Sequence, residues 1–240
     1  MQAQARHRGK SASLNSFGPG AQVLFHALLA LFSLLCIVPF LFVIIISFTS
    51  EDSIRQIGYS FAPLSWGTPA YKYVFELGDT LWRSYFNSFL ITVIGTVLSV
   101  AMCVLYAYPL FRKDFKFRGF FNFLSFFTMI FGGGLVPTYI WLTKYMHLKN
   151  TIWVMIVPML VVPWFIILLR TFFSQIPYSL IEAATVDGAG EMTIFARIIL
   201  PLSKPALATV GMFITLNYWN DWFLPLMYID KRELYNLQYR

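Results

Sequence analysis

The residues best suited to bind a small molecule lie close together near the end of the chain. Asn217, Asn220 and Asp221 recur at three- and four-residue spacing, which places them on one face if the segment is helical. Trp219 and Trp222 lie among them. Aromatic rings stack on sugar rings, and amides or carboxylates bond hydroxyl groups, so these residues could line a path for a saccharide. The pattern also suits an aromatic belt at a membrane interface, and both interpretations stay open.

Other residue types that carry chemistry are isolated. His26 and His147 have no clustered partners that would complete a catalytic set or a metal site. Cys36 and Cys103 lie in different apolar segments, which favours packing over a disulfide or a metal ligand. Glycines 132–134 lack the lysine that follows a phosphate-binding loop. The sequence therefore predicts no catalytic, metal or cofactor site in this chain, which argues against an enzyme.

The composition is typical of a protein that is surrounded by lipid. With 58% hydrophobic and 12% charged residues, the chain lies far outside the usage of soluble domains. Five segments are long and apolar enough to cross a bilayer. They are 23–48, 85–110, 119–142, 152–169 and 205–227. The third contains three consecutive glycines, and the fourth contains Pro158 and Pro163, so neighbouring groups must satisfy the backbone that these residues free. We expect an all-α, polytopic membrane helical bundle.

Basic residues predict how the chain is oriented. They cluster in 1–22, 112–118 and 170–204. Short basic loops stay in the cytoplasm, so 1–22 is predicted to be a cytoplasmic N-terminal tail. Segments 49–83 and 143–150 then lie outside the cell. Because the net charge of +7 is concentrated at span ends, no nucleic-acid partner is expected.

The segment 174–204 is too polar to span the membrane and too patterned to be a plain linker. Pro177 begins a helix, and Ser179 with Glu182 three residues later matches a capping box. Gly188 supplies the turn that follows. We expect this segment to be a cytoplasmic loop of two short helices.

The second predicted helix of this loop covers 191–200 and is ended by Pro201. It carries one apolar stripe at three- and four-residue spacing. The stripe consists of Met192, Phe195 and Ile199.

Residues in the loop carry a resemblance to a known family. The stretch from Glu182 to Ala189 reads Glu-Ala-Ala-Thr-Val-Asp-Gly-Ala, and Leu-Pro follows at 200–201. This stretch lies between two predicted spans, and it resembles the EAA loop of binding-protein-dependent ABC importer permeases. Nearly the whole chain is similar to the carbohydrate-uptake branch that includes the maltose permease subunits. Residues 131–139 and 217–222 look most like permeases for complex oligosaccharides in Gram-positive bacteria.

The resemblance implies a type I ABC importer transmembrane domain over 23–240, with 174–204 as the coupling loop on an ATPase. The family usually has a sixth span, so five visible spans lead us to expect a chain that continues beyond its last residue. The resemblance assigns the ATPase contact to a group of loop residues. These are Glu182, Ala183, Ala184, Asp187, Gly188, Ala189, Phe195 and Pro201.

The resemblance also implies the partners. The chain is expected in the bacterial plasma membrane, in contact with lipid, a second homologous permease and a dimer of ABC ATPase that uses ATP and Mg. A lipid-anchored extracytoplasmic binding protein would deliver a sugar or oligosaccharide. Two alternatives stay open: the same importer class for a polyol or glycerol phosphate, and a channel or scaffold outside the ABC class, which would not need an EAA-like loop.

Overall fold

The computed structural model describes residues 19–240. Most of the predicted tail 1–22 therefore lies outside the described residues. Within 19–240 the regular structure is helical, and one isolated antiparallel bridge joins Thr49 to Trp66. The chain divides into two compact units, of which the first ends at Leu77 and the second covers Gly78–Arg240. The helical content confirms the predicted all-α class.

The first unit contains one long helix followed by two short ones. Helix α1 covers Pro19–Ser47, α2 covers Glu51–Ile57 and α3 covers Pro69–Glu76. The Ser50 hydroxyl accepts a hydrogen bond from the Ser53 amide at 3.2 Å, and this side-chain cap fixes the start of α2. Helix α1 overlaps the first predicted span.

The second unit is built around α4, which covers Asp79–Phe111. The α-helices that follow are α5 (Arg118–Ile130), α6 (Leu135–Ile140), α7 (Pro163–Phe173), α8 (Tyr178–Val186), α9 (Glu191–Ile194), α10 (Leu200–Leu202), α11 (Lys204–Trp219) and α12 (Phe223–Tyr228). Two π-helical turns cover Trp141–Tyr145 and Phe195–Ile199, and 3₁₀ turns cover Ile152–Met155, Val157–Met159 and Arg232–Leu234.

Small residues on α4 allow its neighbours α7 and α11 to approach closely. Gly95, Ser99, Cys103 and Ala107 recur every four residues and are all buried. A Cβ atom on Gly95 would lie 2.6 Å from the Tyr218 ring of α11. The stripe therefore serves close helix packing, which small residues permit in a membrane, where apolar lipid gives little hydrophobic drive for helix association.

Proline interrupts the helix before α7, and α4 satisfies the carbonyls that become free. Residues 152–159 and α7 are bent by 46° relative to each other. Pro163 has no N–H for the carbonyl of Met159. The Ser99 hydroxyl donates to the carbonyls of Met159 at 3.3 Å and Leu160 at 2.9 Å. Tyr218 likewise donates to the carbonyl of Ile156 at 3.0 Å, so neighbouring helices satisfy the broken backbone as predicted.

The predicted span 119–142 is not one straight helix. Helix α5 and the segment 135–145 meet at 109°, because the chain leaves the helix at Phe131 and resumes after Gly134, which has φ of +84°. In residues 19–240, α1 and α4 are long and apolar enough to cross a membrane. The number rises to five if each of three bent pairs counts as one span.

Candidate coupling loop and transport-path residues

Helix α8 is the first helix of the predicted coupling loop, and its start differs from the prediction. It begins at Tyr178 with Pro177 at the N-cap, where proline's fixed φ suits the entry to a helix. No side chain caps this end. Ser179 therefore lies inside the first turn, so the predicted capping box with Glu182 is wrong. Glu182 is exposed on the helix surface.

The end of α8 matches the prediction at Gly188. The Gly188 amide donates to the carbonyl of Thr185 at 3.0 Å, and the Ala189 amide donates to that of Ala184 at 2.9 Å. This pair of bonds is a Schellman motif, which needs a left-handed residue at the position of Gly188. Gly188 has φ of +79°, which a side chain would strain although nothing lies within 4 Å of its Cβ position.

The second predicted helix of the loop has a different form. Helix α9 ends at Ile194, a π-helical turn covers Phe195–Ile199, and α10 continues to Leu202. Pro201 therefore lies within the helical path, and the prediction that it ends the helix is wrong. The Leu200 amide bonds the Phe195 carbonyl, five residues earlier, and this wider turn accommodates the proline.

The loop has a buried face and an exposed face. Ile181, Ile194, Phe195 and Ile199 are buried, and Ala184 and Ala189 are partly buried against the same core. The exposed face carries Glu182, Ala183, Val186, Asp187, Gly188 and Met192. Met192 was predicted to share the apolar stripe with Phe195, but it is exposed whereas Phe195 is buried. The predicted coupling residues therefore include both buried and exposed side chains.

Two hydrogen bonds attach the first residues of α8 and α9 to the segment that follows α4. Glu191 begins α9, and its Oε1 accepts from Nη2 of Arg112 at 2.6 Å. Tyr178 begins α8, and its hydroxyl donates to Oδ2 of Asp114 at 3.2 Å. Burial raises the pKa of the Tyr178 hydroxyl, which keeps the proton that it donates. Sequence analysis missed this attachment.

The predicted transport-path residues do not share one helix face. Asn217 and Trp219 lie on α11, which ends at Trp219. Asn220 follows that end, and Oδ1 of Asp221 accepts from the amides of Phe223 and Leu224 at 3.1 and 3.2 Å. Asp221 is thus an N-terminal cap for α12, and the predicted span 205–227 contains a break between α11 and α12. Trp222 lies in the same break and is exposed.

The start of α4 holds a segment that sequence reasoning missed. Nδ2 of the buried Asn87 donates to the carbonyls of Glu233 at 2.8 Å and Tyr235 at 3.1 Å. The buried Ser88 hydroxyl accepts from the Leu237 amide at 2.8 Å. Asn87 and Ser88 therefore fix residues 232–240. Two adjacent polar residues in the N-terminal part of an apolar helix were the sequence signal that could have indicated this contact.

These features define a class of protein. Broken apolar helices packed on α4, with a polar loop of two helices held against the end of α4, describe a helical membrane permease. Residues 92–236 match the family described as binding-protein-dependent transport system inner membrane component. The chain belongs to this family. It is a membrane-integral permease subunit of an ABC importer, and this confirms the family predicted from the EAA-like loop.

Relatives in sequence and structure agree with this family. The chain is 35% identical to the polygalacturonan/rhamnogalacturonan transport system permease protein of Bacillus subtilis, over 90% of this chain and 75% of the relative. It is 29% identical to an arabinooligosaccharide transport system permease protein of Halalkalibacterium halodurans, over 87% and 76%. A bacterial ABC transporter involved in import of the acidic polysaccharide alginate matches with a TM-score of 0.82 and 29% identity, covering 92% of this chain and 80% of that one.

Proposed function

We propose that this permease subunit passes a sugar or oligosaccharide across the bacterial plasma membrane and takes its energy from an ATPase docked on the coupling loop. In this proposal the N-terminus and the loop 174–204 are cytoplasmic. A second homologous permease completes the path, and a lipid-anchored binding protein delivers the solute outside the cell. ATP and Mg are bound by an ATPase dimer, and this chain binds neither cofactor nor nucleic acid.

The exposed apolar side chains of the loop carry the coupling proposal. Val186 is 87% exposed and Met192 is 70% exposed, although both lie on helices whose other sides are buried. An apolar patch held on a fixed polar loop is typical of a protein-binding surface. The small Ala183 beside Val186 permits close approach by a partner helix or groove.

Each coupling residue has a role in this proposal. Glu182 and Asp187 offer carboxylates to basic groups of the ATPase, and Gly188 fixes the angle between α8 and α9. The partly or fully buried residues pack against the core and hold the docking face in place. These are Ala184, Ala189 and Phe195. Pro201 is exposed and lies within the helical path that follows α9.

The names of the relatives support a carbohydrate as the transported solute. They name polygalacturonan and rhamnogalacturonan, arabinooligosaccharides and alginate. Asn217, Asn220, Trp219 and Trp222 supply the amides and rings that such solutes use, and Asp221 holds the break between α11 and α12. We propose that this break lines part of the path.

Co-purification with the ATPase tests the docking face. Val186→Asp places a charge in the proposed contact, and we expect ATPase recovery to fall at least about tenfold, a loss of roughly 1.4 kcal/mol. The control is Gln175→Asp, which places the same charge on an exposed position outside α8. Equal recovery with both variants would contradict the docking face, and wild type that recovers no ATPase would contradict the coupling function.

Uptake into vesicles containing the assembled importer tests the solute. Oligogalacturonide and arabino-oligosaccharide are offered beside glycerol phosphate and a polyol. We expect ATP-dependent uptake of at least one of the two oligosaccharides, reduced by Trp222→Ala. Uptake of glycerol phosphate or the polyol alone would contradict the carbohydrate assignment and leave the coupling proposal intact.

A further inference from the structure

The segment between α4 and α5 joins α4 to both helices of the coupling loop through one charged cluster. Arg112 is the first residue beyond α4. Its Nη2 donates to Oε1 of Glu191 at 2.6 Å and to Oδ2 of Asp114 at 3.1 Å. The Tyr108 hydroxyl, one turn earlier on α4, donates to Oε2 of the same glutamate at 2.6 Å. Both carboxylate oxygens of Glu191 are thus held by α4 and its C-terminal cap.

The same cluster reaches the first residue of α8. Asp114 accepts from the Tyr178 hydroxyl at 3.2 Å. The Lys113 ammonium lies 4.5 Å from the centre of the Tyr178 ring, within the range of a cation–π contact. The starts of α8 and α9 are therefore tied to one short stretch of chain, so displacement of the loop pulls directly on the end of α4.

Burial makes this connection stiff. The Arg112 side chain is 10% exposed, whereas the side chains of Glu191 and Asp114 are 60% and 71% exposed. A buried cation that loses its carboxylate partners is left uncompensated at a large cost. Among residues 19–240, Nη1 of Arg112 is also buried without a hydrogen-bond partner. The guanidinium therefore depends on these carboxylates and resists separation from them.

Ordinary helix electrostatics do not account for the arrangement. An acidic residue in the first turn of a helix is favourable beside the helix dipole, which would explain Glu191 by itself. That effect needs neither a buried arginine nor a tyrosine from another helix. Glu51 and Arg55 within α2 form the ordinary kind of pair, four residues apart and with side chains 67% and 77% exposed.

We propose that Arg112 and Glu191 form the strut through which movement of the coupling loop is transmitted to α4. The proposal rests on the coupling function proposed above and assigns a positioning role to two residues outside the docking face. With the strut intact, α9 and α4 move as one body when the ATPase closes. Without it, the loop follows the ATPase while α4 lags behind.

Spin-label distances in the complex with the ATPase test the strut. Labels are placed at the exposed positions Thr193 on α9 and Met102 on α4, with Cys36→Ser removing an exposed native thiol. Distances are compared without nucleotide and with Mg-ATP and vanadate. In wild type we expect an unchanged distance, and in Glu191→Gln we expect a nucleotide-dependent shift of about 1–2 Å, or a broadened distribution, as for helix movements at interfaces.

Controls keep this experiment decisive. Asp230→Asn removes an exposed ion partner elsewhere and should behave as wild type. If Glu191→Gln does not assemble, Glu191→Asp keeps the charge but draws the carboxylate back from Arg112 by one methylene group, and a shift is expected there too. A distance that changes in wild type, or stays fixed in these strut variants, would overturn the strut. Failure of wild type to bind the ATPase would instead overturn the coupling function on which the strut rests.

Discussion

The two ends of α4 are held by different chemistry. At the end beside the coupling loop, the 10% exposed Arg112 side chain is bonded to the carboxylates of Glu191 and Asp114. At the opposite end, here called the far end, neutral Asn87 and Ser88 bond the backbone of residues 232–240. A buried charge that loses its partner is left uncompensated at a large cost, whereas the loss of a neutral hydrogen bond costs less. The buried charge therefore lies at the end of α4 that we propose transmits movement.

Removing both carboxylates at the loop end should have the largest effect. Asp114→Asn with Glu191→Gln leaves Arg112 buried and unpaired, and we expect a loss of about 3–5 kcal/mol in stability. The thermal midpoint of the detergent-solubilised protein measures it. A drop no larger than that of Lys149→Gln would break the proposed contrast between the two ends.

Loss of the amide at the far end should have an intermediate effect. Asn87→Ala leaves the carbonyls of Glu233 and Tyr235 without their donor. We expect a loss of about 1–3 kcal/mol in stability, the usual cost of an unsatisfied buried group. Hydrogen exchange at 232–240 should rise while exchange in α8 is unchanged. Asn122→Ala is the control, because that amide bonds a carbonyl of its own helix at 2.7 Å. Faster exchange in α8 would show that the ends are not independent.

The turn at the loop end gives a smaller, local effect. Gly188→Ala forces a residue with a side chain to adopt a backbone φ of +79°. The left-handed conformation costs such a residue roughly 1–2 kcal/mol in stability. Gly190→Ala is the matched control, because that residue has φ of −72° and equally open space. ATPase affinity should fall for the first variant and not the second. Equal affinities would mean that the angle between α8 and α9 does not matter for docking.

The exposed ion pair at the far end should have the smallest effect. Lys149 and Asp230 lie 2.9 Å apart with side chains 39% and 68% exposed. The hydrogen bond from Lys149 lowers the pKa of Asp230. The contribution of the pair to stability is therefore fully present at pH values above the ordinary pKa of a carboxyl group, and it is lost as the pH falls through the lowered pKa. We expect Lys149→Gln to leave the thermal midpoint unchanged at pH 7. A marked drop would contradict the distinction between buried and exposed charge.

Local patterns explain what the sequence could predict. The apolar runs indicated α1 and α4, and Gly188 indicated its own turn, because each depends on neighbouring residues. The capping box failed for a local reason: α8 begins at Tyr178, one residue before Ser179.

Long-range contacts explain what the sequence could not predict. Arg112 and Glu191 are 79 residues apart, and nothing in their spacing joins them. Pro201 stays within the helical path because a π-helical turn accommodates it, and such a turn has no simple sequence pattern. Asp221 left the predicted helix face because its carboxylate caps α12 instead.

Photocrosslinking from α8 tests the central claim most directly. The photoreactive residue p-benzoylphenylalanine replaces Val186 in one variant and Gln175 in a control, and membranes containing the whole importer are irradiated. We predict a cross-link from position 186 to the ATPase that is absent when the ATPase is not expressed, with little or none from position 175. Cross-linking from 175 alone, or from neither position in an assembled importer, would contradict the account.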